Sequence, residues 1–158
     1  MFFKKSKAAQ VWFFPPYLLI SSLVFSIGLE FGYKSYPIII GGIFQSIIGI
    51  IITSCSVGLF IYSIFTFASN KEKVHPRSIT TQIFKNGPFK LSRNPIYLAM
   101  VCLLLGFGIT FNSMWFIYFS FANFVLLHYG IIIPEEIYLE KEFGKEYLEY
   151  KSTVRRWL

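Results

Sequence analysis

The chain has 158 residues, of which 54% are hydrophobic, 20% aromatic and only 15% charged. A soluble domain carries roughly 25% charged residues, and one of this size could not hide so much apolar surface. The net charge of +7 needs no nucleic-acid partner, because its placement along the chain accounts for it.

Lys4, Lys5 and Lys7 precede a first apolar stretch, expected as a helix over residues 11–30. The start resembles a signal peptide, but the run is long, is headed by Pro15-Pro16 and has no small-x-small cleavage site, so a retained helix is expected. Lys34 alone falls in the short loop that follows. The second stretch, 38–67, would measure about 45 Å as one helix, more than the hydrocarbon core needs. A hairpin turning at Gly49 is the alternative; a single tilted helix is expected. A loop over 68–94 then carries Lys71, Lys73, Arg77, Lys85, Lys90 and Arg93, with Pro76, Gly87 and Pro88. Asn94-Pro95 reads as an N-cap and first helical residue of a third helix, 95–111. Asn112-Ser113 carries no charge, and a fourth helix is expected over 114–133.

The remaining basic residues, Lys141, Lys145, Lys151, Arg155 and Arg156, follow that fourth stretch. Three, six and five basic residues thus fall on one side of the bilayer and one on the other, which places both termini and the long loop in the cytoplasm. The expected fold is all-α: a polytopic membrane protein of four transmembrane helices in one domain, 1–158, plus a C-terminal cytoplasmic amphipathic helix. That last helix is expected over 134–157, opened by Pro134. Leu139, Phe143, Tyr147, Tyr150, Val154 and Trp157 would line its apolar face. Cys55 and Cys102 both lie in apolar stretches and suggest neither a disulfide framework nor a metal site.

Glu135 and Glu136 follow the apolar run FVLLHYGIII after Pro134 alone, where ionised carboxylates are costly. Acids are favoured in a first helical turn, which explains one of them. Adjacent helical residues point about 100° apart, so one of the pair should face inward. His128 is a further polar residue within an apolar helix. Without more, these form a candidate polar site.

The segments FKNGPFKLSRNPIYLAM, LLGFGIT and IIIPEEIYLEKEFGKEYLEYKSTVRRWL, in this order and between these hydrophobic stretches, resemble the isoprenylcysteine carboxyl methyltransferase and phospholipid methyltransferase superfamily. The resemblance covers roughly residues 76–158. It implies an integral membrane methyltransferase that uses S-adenosylmethionine and releases S-adenosylhomocysteine. A Gly-x-Gly motif and a Glu-Glu pair associated with the cofactor match Gly106-Phe107-Gly108 and Glu135-Glu136. The Arg-Asn-Pro motif and the residues after it match Arg93, Asn94, Pro95, Tyr97 and Leu98; Ala99 departs from the glycine of many relatives. The aromatic and basic tail matches Tyr147, Tyr150 and Arg155. Arg93, Arg155 or Arg156 could hold a carboxylate, and His128 or one of the glutamates is a candidate base. Gly106 and Gly108 also have a packing reading, since small residues let membrane helices approach closely. The implied partners are membrane lipid and a lipophilic or small-molecule acceptor: a prenylcysteine carboxylate, a phospholipid amine or a thiol. A non-enzymatic lipid-binding bundle and a related nicotinamide-dependent reductase are the competing readings.

Overall fold

The computed structural model describes residues 11–38, 42–69 and 82–158. Lys4, Lys5 and Lys7, and the part of the long loop that carries Lys71, Lys73, Pro76 and Arg77, lie outside these residues. Six α-helices make up the described chain: α1 (Pro15–Gly32), α2 (Gly42–Ser69), α3 (Pro95–Phe111), α4 (Met114–Leu127), α5 (Ile133–Phe143) and α6 (Lys145–Thr153). Among the described residues there is no strand.

Three helical runs are long and apolar enough to cross a membrane: Pro15–Gly32, Gly42–Ser69 and Met114–Phe143. The helix Pro95–Phe111 is apolar but shorter. α2 is one helix and does not turn back at Gly49. The outer faces of α1 and α2 are large exposed hydrophobics such as Phe25, Phe31, Ile47 and Phe65. That pattern is stable where the surroundings are as apolar as the side chains.

The packing order differs from the chain order. α2 packs on α3, α3 on α4, and α4 on α1, whereas α1 and α2 share no comparable interface. Small and polar side chains set these seams. A Cβ at Gly49 would stand 2.5 Å from the Thr110 amide nitrogen, so α2 and α3 touch backbone to backbone there. Ser120 Oγ donates to the Val101 carbonyl at 2.8 Å across α3 and α4. Asn123 Nδ2 donates to Ser22 Oγ at 2.6 Å and ties α4 to α1.

Two expectations for the C-terminal third are corrected. Pro134 does not open a separate helix: α4 continues through a π-helical turn, His128–Ile132, into α5. Proline lacks the N–H that would donate to the Gly130 carbonyl, and its ring crowds that carbonyl. The wider turn makes room, the Ile133 amide donates to the His128 carbonyl, and the freed Gly130 carbonyl accepts from the Trp12 amide at 3.2 Å. Nor does one helix extend over 134–157. It breaks at Gly144, whose φ of +52° is strained for any side chain. The chain turns there into α6, which ends at Thr153, and Val154 is extended. The C-terminal segment therefore folds back over one end of the bundle instead of running on as a rod.

Candidate active site

At that end the helices enclose a cavity of about 330 Å³, within the usual size of small-molecule sites. α1 contributes Pro15 and Pro16 to its wall, α2 contributes Phe60, Ile64 and Phe67, and the segment before α3 contributes Ile83, Phe84 and Phe89. Phe67, Phe84 and Phe89 pack ring on ring, with centroids 4.4–5.6 Å apart. The polar wall comes from the start of α3 and from α5 and α6: Arg93, Asn94, Tyr97, Glu135, Glu136, Tyr147 and Tyr150.

The two glutamates separate in role. Glu136 is 5% exposed and is held by two arginines. Its Oε1 accepts from Arg93 Nη2 at 2.8 Å and Arg156 Nε at 3.0 Å, and its Oε2 accepts from Arg156 Nη2 at 2.6 Å. Arg156 thus grips the carboxylate bidentately, and this hydrogen bonding holds its guanidinium above its ordinary pKa. Glu135, one position earlier, accepts a single hydrogen bond among the described residues, from the Tyr97 hydroxyl at 2.9 Å. It is the carboxylate left available to the cavity.

The tail fixes the start of α3. The Arg93 amide donates to the Arg155 carbonyl at 3.0 Å. The Arg156 carbonyl accepts from Asn94 Nδ2 at 2.9 Å and Ser92 Oγ at 3.3 Å. Asn94 is positioned at the N-cap, but its side chain makes no cap bond; it holds the tail. Trp157 lies against Phe124, with centroids 4.8 Å apart. Tyr150 donates to the Phe89 carbonyl at 2.7 Å, and burial raises the phenols of Tyr147 and Tyr150 well above their ordinary pKa. They remain neutral donors.

Of the residues singled out from sequence, Arg93, Asn94, Pro95, Tyr97, Glu135, Glu136, Tyr147 and Tyr150 come together around the cavity. The others do not line it. Gly106 faces α2, where a Cβ would stand 2.8 Å from the Thr53 amide nitrogen. Gly108 faces α4, where a Cβ would stand 2.9 Å from Ile117 Cγ1. Both stand at helix–helix seams, and neither lines the cavity. Leu98 is on α3 outside the lining. Arg155 is exposed and serves through its carbonyl, while Arg156 supplies the charge. The His128 ring meets Trp157 Nε1, which donates to Nδ1 at 3.1 Å, and Arg156 Nη1 at 3.2 Å from Nε2. Neither neutral tautomer accepts from both donors, and the ring is engaged with the tail and stands outside the cavity lining. Tyr138 lines the cavity without having been marked by any motif; its only sequence signal is its spacing of three from Glu135.

The chain matches the family model described as Phospholipid methyltransferase over residues 44–146. It is also 38% identical over 65 residues to a protein of Haemophilus influenzae (strain ATCC 51907 / DSM 11121 / KW20 / Rd) described as uncharacterized, covering 40% of this chain and 100% of that relative. The family match spans α2, α3, α4 and α5, including the Arg93–Glu136 pair and the Tyr97–Glu135 pair that shape the cavity. The chain belongs to the phospholipid methyltransferase family.

Proposed function

We propose that this protein transfers a methyl group from S-adenosylmethionine to a lipophilic or small membrane-accessible acceptor at the cytoplasmic face of the membrane. The observation that carries this reading is the cavity itself, in which one available carboxylate, one partly unpaired arginine and a wall of aromatic rings face the same space. When bound, S-adenosylmethionine supplies a methyl group on a positive sulfonium. Its amino group and ribose hydroxyls are hydrogen-bond donors that suit Glu135. Its carboxylate suits the Arg93 edge, and its sulfonium and adenine suit ring faces such as those of Tyr147 and Phe89.

The chain's own residues orient the ligands and keep water out. Tyr97 fixes Glu135, and the Arg93–Glu136–Arg156 cluster fixes the start of α3 against α5. Holding two reactants in register is the main demand of a simple displacement. α1 and α2, which share no comparable interface, both contribute to the apolar wall, which supports entry of a lipid acceptor from the bilayer between them. Calorimetry on the purified protein is expected to give binding of S-adenosylmethionine and S-adenosylhomocysteine and none of NADPH. Binding of NADPH alone would indicate a reductase, and binding of none of the three a non-catalytic bundle.

For topology we propose four spans, α3 included, with the cavity on the cytoplasmic side, on the strength of the basic-residue distribution. In a background without Cys55 and Cys102, a cysteine at Tyr36, 87% exposed, should be labelled in intact cells. One at the exposed Asn86 should be labelled only after permeabilisation. The reverse pattern would invert the protein.

A further inference from the structure

Two buried donors of the cavity wall have no acceptor among the described residues. The Arg93 side chain is 7% exposed. Its Nη2 donates to Glu136 and its Nη1 reaches the Lys151 carbonyl at 3.5 Å, but its Nε is unpartnered. The Tyr138 hydroxyl is also buried and unpartnered. Both residues line the cavity. Buried polar groups are rarely left this way, because the desolvation of the donor is then uncompensated. Packing alone does not call for the Tyr138 hydroxyl: the ring packs against the hydrophobic cluster that includes Tyr97, Met100 and Ile131, a place phenylalanine would fill equally.

Charge points the same way. Glu136 takes up only Nη2 of Arg93 and divides its charge with Arg156, so the Nε edge of Arg93 has no carboxylate of its own. Glu135, the neighbouring carboxylate, is turned to Tyr97. The cavity therefore presents an acceptor at Glu135 and donors at Arg93 and Tyr138, the pattern that a zwitterionic group satisfies.

We infer that Arg93 Nε and the Tyr138 hydroxyl form an oxyanion subsite of the cavity, which takes a carboxylate or phosphate of the bound ligand. This rests on the methyl-transfer reading above, and it adds Tyr138 as a ligand-contacting residue of this chain. Two sources of the oxyanion fit: the carboxylate of the methyl donor and the phosphate of a phospholipid.

The test compares the full-length protein with Tyr138→Phe in detergent, using calorimetry and thermal unfolding. The probes are S-adenosylmethionine, decarboxylated S-adenosylmethionine and short-chain phosphatidic acid. Without ligand, Tyr138→Phe is expected to unfold at the same temperature as the unaltered protein or higher, since an unpaired hydroxyl is removed. S-adenosylmethionine affinity is expected to fall about tenfold, with the decarboxylated probe unaffected, if the oxyanion is the donor's. A fall of that size for phosphatidic acid alone assigns the subsite to lipid phosphate. Equal affinities of the two proteins for all three probes overturn the inference while leaving the methyl-donor reading intact. An unaltered protein that binds none of the probes overturns both.

Discussion

Glu136→Gln is expected to destabilise the fold by about 3–5 kcal/mol, the range for breaking a buried ion pair by removing one partner. The substitution keeps the shape of the side chain and removes its charge. Arg93 then stays buried, with a side chain 7% exposed, facing an amide that no longer neutralises it. Arg156, at 31% exposure, can recover water; Arg93 cannot. Glu135→Gln supplies the contrast. Its carboxylate has one neutral partner, the Tyr97 hydroxyl, so the fold should change by less than about 1.5 kcal/mol while donor affinity falls. Thermal unfolding of both variants in detergent, alongside calorimetry with S-adenosylhomocysteine, reads the two effects separately. If Glu136→Gln unfolds like the unaltered protein and loses only ligand, Glu136 is a ligand group and its ion cluster is not what holds the end of the bundle together.

Deleting residues 154–158 is expected to abolish donor binding without preventing membrane insertion. No part of an apolar span is removed. What goes is the bidentate partner of Glu136, the Trp157 ring against Phe124, and the two carbonyls that anchor Ser92, Arg93 and Asn94. Arg93 would keep its counter-ion but lose its backbone anchor, and the start of α3 would loosen where it forms the cavity wall. Each tenfold of affinity corresponds to about 1.4 kcal/mol, and the several hydrogen bonds lost are worth about 1 kcal/mol apiece. A reduction of a hundredfold or more is therefore the expected reading in calorimetry. Donor affinity close to that of the full chain would confine the site to residues 93–150.

Hydropathy and charge placement made the helical class legible, because apolar runs of bilayer length have few other solutions. The motifs marked most of the polar wall, from Arg93 to Tyr150. Three things escaped for physical reasons. Gly106 and Gly108 belong to a cofactor motif and to helix packing alike, and only the neighbouring backbone of α2 and the Ile117 side chain decide between the two. Arg155 and Arg156 cannot be told apart by helical periodicity, because the helix ends at Thr153 and Val154 is already extended. Beyond the helix end Arg156 reaches Glu136, while Arg155 is exposed. Finally, a π turn has no periodic signature of its own. Pro134 reads as a helix start, yet here it sits inside a helix that has widened to admit it.

The seating of Trp12 on the carbonyl that Pro134 frees has a consequence for how the molecule is made. The acceptor for the first described residues lies at Gly130, and the helix that flanks α1 is α4. α1 leaves the ribosome long before either exists, and α2, its immediate successor, offers it no seam. During synthesis the first helix has only a small contact with α3 to hold it until α4 is made. Its main seam forms only once residues 114–130 are made, and the wall formed by Pro15 and Pro16 is then among the last to be set in place. A nascent chain halted before residue 114 would carry a paired α2 and α3, an α1 without its main seam and no enclosed cavity.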